Sequence, residues 1–480
     1  MNPLIWLPLT PLLVALTLPL CSRWPNLREG ITLLGGLGLF LLSLTQYLSA
    51  EIPSELILAT PLPGYPLLFR PEPLGIAFSL LVSFLWPITS LYAVGYMRGH
   101  KEKNQTRFYV FFALSIAVTQ AIALSGNMLT LFLFYELLTL MTYPLVTHSG
   151  SEEAKKAGRT YLGILMSTSI MFLLLATVWS AQLAGTLEFT PGGIFPDTLT
   201  SLTLNTLLLL FVFGTAKAAL MPFHGWLPQA MVAPVPVSAL LHAVAVVKAG
   251  VFTLLKVVIY LFGSDLVAGL SAAEFVAYLA GFTLVTASLI ALRKDNIKAR
   301  LAYSTIGQLS YIILGTMIAT HSSVVGSSMH MVTHAFGKIT LFFCAGAILL
   351  ATHKTKVSEL DGCGKQIPVT IGLFTLAALS TIGLPPFAGM WSKWWLLQGT
   401  VETEHYLLTA ALLLSSILNL AYLMEIPLRA FLKPAQTATP VYQEAPLLNR
   451  TAATVTTALC IILFLLPEQL FQHFSMLGGG

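Results

Sequence analysis

The chain has 480 residues, of which 56% are hydrophobic and only 9% charged, with a mean hydropathy of +0.80. Soluble domains carry about 25% charged residues, so this composition excludes a soluble enzyme and specifies a polytopic membrane protein. The net charge of +5 reads as a bias of loop charges toward one side of a membrane, and no nucleic-acid partner is expected.

From the N-terminus, Asn2 and Pro3 lead directly into apolar sequence without a basic leader or a convincing small-residue cleavage site, so the first run reads as a retained span rather than a signal peptide. Runs of roughly 20 apolar residues, enough to cross a bilayer, number fourteen. They centre on 3–20, 30–48, 74–96, 108–126, 128–147, 160–184, 203–220, 237–262, 272–292, 301–319, 324–351, 368–399, 406–430 and 451–472. The polar gaps Glu51–Arg70 and Lys433–Arg450 are loop-sized. Residues 221–236 read as an extension of span 7, and span 12 is interrupted around Leu384–Pro386.

The basic residues support that count. If the loops alternate sides, nineteen of the 25 Lys and Arg, from Arg23 to Arg450, fall on one side and only Arg70 on the other. Positive loops stay cytoplasmic, so both termini are expected on the non-cytoplasmic side of a prokaryotic plasma membrane. Four cysteines (Cys21, Cys344, Cys363, Cys460) lack metal-ligand spacing, and no Gly-rich phosphate loop is present. No cofactor and no metal of the chain's own is expected.

Nine ionisable residues within the spans stand out: Lys217, Lys248, Lys256, Lys338, Lys393, Glu136, Glu425, His330 and His334. Each costs at least ~2.5–3.5 kcal/mol on insertion scales, so such groups face protein or water and mark transport paths. Glu136, in "LFLFYELLTL", is mid-span and has no local partner. It is either a structural ion-pair member or a proton carrier. Lys248, in "HAVAVVKAGVF", is too central to snorkel, whereas Lys256 is near enough to a helix end that snorkelling and function both stand. His330, His334 and Lys338 follow at i, i+4 and i+8 on one drifting helix face, the outer two about 12 Å apart along the axis. A proton relay, a structural role and a metal face all fit that spacing, although no third ligand is apparent. Glu425 lies four residues from Arg429, good ion-pair spacing. Trp391, Trp394 and Trp395 read as interfacial belt or core. Burial disfavours an ammonium and a nearby carboxylate restores it, so a wet row of such groups can pass protons without a cofactor.

The chain also repeats itself. "LMPFHGW" at 220–226 and "LPPFAGMW" at 384–391 both give Leu-x-Pro-Phe-x-Gly inside a membrane-long segment. Spans 7 and 12 are five apart, so the two copies run in opposite directions, as in transporters built from inverted repeats with broken helices. Pro222 and Pro386 remove backbone hydrogen bonds, which the membrane tolerates only where protein or water receives the freed carbonyls. A lysine accompanies each break, Lys217 before the first and Lys393 after the second.

These residues resemble a known family. "FGTAKAALMPFHGWLPQAMVAPVPVSALLHAVAVVKAG", "HMVTHAFGKITLFFCAGAI" and "RKDNIKARLAYSTIGQLSYI" are similar to the core of the antiporter-like subunits shared by complex I, Mrp-type cation/proton antiporters and membrane-bound hydrogenases. The likeness runs from about residue 70 to 430. It implies an all-α polytopic protein of about fourteen helices with two inverted five-helix units, spans 4–8 and 9–13, and discontinuous helices 7 and 12. Divided accordingly, the chain comprises residues 1–107, 108–265, 266–432 and 433–480. The resemblance implies proton-translocation roles for Glu136, Lys217, Lys248, His330, His334, Lys338 and Lys393. Within the family the chain looks most similar to the D-type component of Mrp antiporters, since span 12 carries a lysine and no long lateral helix or extra spans follow span 14. In "FRPEPLGIAF", Glu72 stands where many relatives carry aspartate, and it is assigned no role.

The expectation is a transporter subunit rather than an enzyme: a proton-translocating member of an Mrp-type Na+/H+ antiporter, working with other membrane subunits in the lipid bilayer. A proton-pumping subunit of a complex I-like or hydrogenase complex is the alternative. A stand-alone organic-solute carrier would need a polar substrate pocket that the sequence does not show.

Overall fold

The computed structural model describes residues 2–49, 55–434 and 441–477. Glu51 and the rest of 51–54 in the first polar gap, and 435–440 in the second, lie outside the described residues. Helices dominate because a backbone in hydrocarbon must satisfy its hydrogen bonds internally. Twelve are long and apolar enough to span a membrane. They are α1 (Pro3–Cys21), α2 (Pro25–Leu48), α3 (Pro73–Gly99), α4 (Gln105–Ala123), α5 (Met128–Val146) and α6 (Glu152–Ala184), then α8 (Val235–Phe262), α9 (Ser271–Arg293), α10 (Ile297–Ile318), α11 (His321–Thr352), α13 (Tyr406–Leu432) and α14 (Leu447–Leu465). The seventh and twelfth spans are each in two pieces: α7a (Ser201–Gly214) with the short α7b (Trp226–Gln229), and α12a (Pro368–Ile382) with α12b (Gly389–Glu402). Twelve of the fourteen expected spans are therefore continuous helices, and the seventh and twelfth are the two that are broken.

Polar caps fix several helix starts where the chain leaves the interface. Asn127, Ser151, Thr200, Asn296 and Thr320 each accept a hydrogen bond from a backbone N–H three residues on, satisfying donors that the first turn leaves free. Helix α6 is interrupted by a π turn at Ser169–Leu173, and α8 by two, Ser238–Ala245 and Val257–Phe262.

Two differences from the sequence reading concern the ends. Residues 56–69, read as loop, form a hairpin of β1 (Leu56–Leu62) and β2 (Tyr65–Phe69). It lies over the α4–α5 connection, where Leu68 N donates to Thr130 Oγ1 at 2.8 Å and Gly126 N to Leu68 O at 2.8 Å. The span expected over 451–472 ends at Leu465, and α15 (Pro467–Ser475) follows as a separate helix. Pro467 cannot donate its backbone bond, which is why the two do not run together.

Helices α4–α8 and α9–α13 form the two inverted five-helix units. They meet where α8 and α10 pack against α11. Helix α8 is wholly enclosed by protein, whereas most of α2 faces outward with Leu34, Leu41 and Leu48 exposed. A charge on α8 therefore never meets lipid. Helix α11, 32 residues long, runs about 48 Å through the centre of the molecule.

Candidate functional site

The first break begins earlier than its proline suggests. The expected span reached Leu220, but α7a ends at Gly214 and Lys217 stands in the 3₁₀ turn Ala216–Ala218, inside the gap rather than on the helix. Pro222 lies eight residues past the helix end, in a cis bond with Met221. Side chains take over from helix bonds at that point: Lys217 N donates to Tyr135 Oη at 3.2 Å, and Trp226 Nε1 donates to Ala216 O at 2.9 Å. The turn is backed by α8 at close range, for a Cβ at Gly250 would lie 2.3 Å from Ala218 N and 2.5 Å from Lys217 C. Only glycine allows that approach.

The Lys217 ammonium is fully buried. It donates to Tyr135 O and Thr139 Oγ1, both at 2.7 Å, and lies 3.3 Å from the centre of the Tyr135 ring. Three α5 groups thus solvate it. Glu136, the next residue on α5, has both carboxylate oxygens buried and without a hydrogen-bond partner. It lies close enough to interact electrostatically with Lys217, but no ion pair within 4 Å joins them. The sequence left Glu136 as an ion-pair member or a proton carrier; the structure gives a lysine held by neutral oxygens with an unbonded carboxylate beside it.

The second half gathers the remaining residues. Lys248 on α8 is hydrogen-bonded to His334 Nδ1 on α11, which joins the two inverted units directly. The rings of His334 and His330 stack with centroids 5.7 Å apart. His330 Nδ1 lies 2.9 Å from Ser392 Oγ, and its Nε2 lies 3.0 Å from Gln308 Oε1. Both ring nitrogens of His330 are therefore engaged by α12b and α10, and no metal-ligating face remains on it.

Beside Ser392, Lys393 donates to Ile382 O at 2.9 Å and Ser416 Oγ at 3.2 Å, over the ring of Tyr311 at 4.5 Å. Lys338 points elsewhere, donating to Ser304 Oγ at 2.6 Å, which lies 2.8 Å from Tyr422 Oη. The row thus divides: His334 and His330 lead from Lys248 toward Lys393, and Lys338 forms a branch to α10 and α13. Helix α12a stops at Ile382, four residues before Pro386, where a proline ring clashes with a continuing helix.

The other interior charges are settled by distant partners. Lys256 does not snorkel; it is fully buried and its Nζ is 2.8 Å from Glu72 Oε2. Glu425 was matched to Arg429 by spacing, but its nearer partner is Arg300 at 2.7 Å, with Arg429 at 3.5 Å. Trp394 is exposed, while Trp391 donates its ring N–H to Phe464 O at 3.1 Å.

Sequence reasoning missed His242. It is buried, with neither ring nitrogen hydrogen-bonded, between Tyr161 and Trp226 at ring distances of 6.3 and 6.4 Å. Its signal was available: it opens the stretch "HAVAVVKAG" six residues before Lys248. Thr139, Ser304, Gln308, Ser392 and Tyr422 were missed too, since a single hydroxyl or amide in an apolar helix carries no sequence pattern.

Two opposed five-helix units, each broken beside a buried lysine and joined through a lysine–histidine contact, define an antiporter-like membrane protein. The chain belongs to the family described as "NADH:quinone oxidoreductase/Mrp antiporter, TM", which matches residues 125–419. It is 31% identical over 366 residues to NADH-quinone oxidoreductase subunit N of Desulforudis audaxviator, covering 75% of this chain and 72% of that protein. It is 33% identical over 343 residues to the F(420)H(2) dehydrogenase subunit L of Methanosarcina mazei, covering 65% of this chain but only 49% of that protein. Its fold matches a chain of the Mrp complex from Dietzia with a TM-score of 0.87 at 18% identity, covering 100% of this chain and 97% of that one.

Proposed function

We propose that the chain moves protons as one subunit of a multisubunit Mrp-type Na+/H+ antiporter, in a prokaryotic plasma membrane with both termini non-cytoplasmic. The observation that carries the proton reading is the line Lys248–His334–His330–Ser392, which crosses from one inverted unit to the other through hydrogen bonds and one ring stack and ends at the residue before Lys393. Glu136 and Lys217 gate one half-channel. A proton on the unbonded Glu136 carboxylate weakens its hold on the Lys217 charge, which frees the ammonium's proton for Lys248. Lys338 and its Ser304–Tyr422 branch store charge beside the line. Residues 108–265 and 266–432 act as the two transport units, framed by 1–107 and 433–480.

The Mrp assignment rests on the lysine at 393; the fold match to the Dietzia Mrp chain is equalled, at a TM-score of 0.87, by a chain of the membrane-bound sulfane sulfur reductase and does not separate the two parent complexes. A second reading, a proton-pumping subunit of a redox-driven complex, is favoured by the curated relatives, which are subunits of quinone and F(420)H(2) oxidoreductases. In that case catalysis lies in other subunits.

Replacing Lys217 or Glu136 by Ala should abolish proton movement in membrane vesicles while the complex still assembles. Wild-type transport in both variants overturns the proposal. The co-purifying subunits separate the two parent complexes: flavin and iron–sulfur partners mean a redox complex, and their absence together with Na+-dependent proton release means an antiporter.

A further inference from the structure

A second buried acid–base pair lies outside the line just described. Lys256 is on α8, eight residues beyond Lys248 or about 12 Å along the axis. Its ammonium has no exposure, donates to Ser125 O at 2.5 Å and contacts Glu72 Oε2 at 2.8 Å. Apart from that lysine, neither Glu72 oxygen has a hydrogen-bond partner. The ring of Phe189 covers the ammonium at 4.2 Å.

Glu72 itself, 8% exposed, lines a surface cavity of about 330 Å³ together with Arg70, Tyr260 and the exposed Asp265. Arg70 at the rim is held by Glu55 at 2.6 Å and Glu188 at 2.7 Å. The order from inside to outside is therefore Lys248, Lys256, Glu72, cavity. With Phe189 closing the direct way, Glu72 is the only carboxylate in contact with both Lys256 and the cavity among the described residues, while Tyr260 reaches both only through its ring, 5.9 Å from the ammonium.

We infer that Glu72 and Lys256 form the port through which protons pass between the first unit and the aqueous phase on the Arg70 face of the membrane. This rests on the proton-translocating reading above. In the outward step the Lys256 N–H bond breaks and an O–H bond forms on Glu72 Oε2, leaving a neutral amine and a neutral acid. The acid then gives its proton to water in the cavity and becomes carboxylate again. The amine takes a new proton from the Lys248 side, so one proton has crossed and both groups have returned to their starting state. Reprotonation of the amine as the acid releases its proton keeps the Glu72 carboxylate from standing unpaired, the arrangement that burial penalises most.

The decisive variant is Lys256→Arg in the assembled complex. Arginine keeps the ion pair but does not release its proton in proteins. Proton movement in vesicles should fall at least tenfold with assembly unchanged; wild-type transport overturns the port. Glu72→Cys, made in a chain with Cys21→Ser, gives an independent answer, because the remaining cysteines Cys344, Cys363 and Cys460 are buried. Carboxymethylation with iodoacetate should restore transport, since it returns a carboxylate. A sulfonate-bearing thiol reagent restores only the negative charge and should not rescue. Equal rescue by both reagents means the pair is purely structural and overturns the inference. Lys217→Ala, measured alongside, separates the two ideas. An inactive Lys217→Ala with an active Lys256→Arg removes the port alone, and an active Lys217→Ala removes the proton reading itself.

Discussion

The two helix breaks share a motif but treat their lysines differently. In the first, eleven residues (215–225) separate α7a from α7b, Lys217 sits inside the gap, and a carboxylate stands within electrostatic reach. In the second, six residues (383–388) separate the halves, Lys393 is already on α12b, and its contacts are Ile382 O, Ser416 Oγ and the Tyr311 ring. Among the described residues, no carboxylate lies within 4 Å of Lys248, Lys338 or Lys393. The lesson is that an inverted repeat of backbone is not a repeat of electrostatics. Both ammoniums are held by neutral oxygens over a tyrosine ring, but the first also has a carboxylate within electrostatic reach, which the second lacks.

That contrast can be broken or sharpened by experiment. The largest effect is expected from Lys393→Ala, which should lower proton movement in assembled vesicles about 100-fold, equivalent to about 2.7 kcal/mol. A loss under twofold would mean that the second break is architectural only. Next, Gly250→Ala should destabilise the purified complex by about 1–3 kcal/mol through overpacking, because its Cβ meets main-chain atoms of the first break. An unchanged melting temperature in detergent would show that the turn around Lys217 can shift, contrary to the close fit argued above. The smallest effects compare the two solvation shells. Thr139→Val removes a 2.7 Å acceptor from Lys217 and should cost about 1.5 kcal/mol, while Ser416→Ala removes a 3.2 Å acceptor from Lys393 and should cost about 0.5 kcal/mol. Equal melting shifts would erase the difference between the halves.

Much of the architecture was legible because its signals are local. Span length, the Lys/Arg asymmetry and the twice-occurring Leu-x-Pro-Phe-x-Gly are properties of short stretches, and they give the fourteen spans and the two breaks. What the sequence hides is pairing at a distance. Glu72 and Lys256 are 184 positions apart, and Arg300, counted as a loop charge, turns inward to Glu425 from the start of α10. The same holds for the end of α7a. Pro222 predicts a break near residue 218 by its clash four residues back, yet the helix stops at Gly214, where side chains of Tyr135 and Trp226 capture the backbone first. The division of the histidine–lysine row has a similar origin: i, i+4, i+8 spacing gives a common face, but Ser392 and Ser304 on other helices decide where each side chain goes.

The length of α11 has a further consequence. Its 32 residues centre between Phe336 and Gly337, so His334 and Lys338 lie within about 4 Å of the helix midpoint along the axis. Moving one charge across a full membrane is worth about 2.3 kcal/mol per 100 mV. On the proton-translocating proposal, and with that midpoint at the bilayer midplane, a proton reaching it from either face would have crossed roughly half the voltage, about 1.2 kcal/mol per 100 mV. The membrane potential would then be felt in two nearly equal steps, one on the way in and one on the way out.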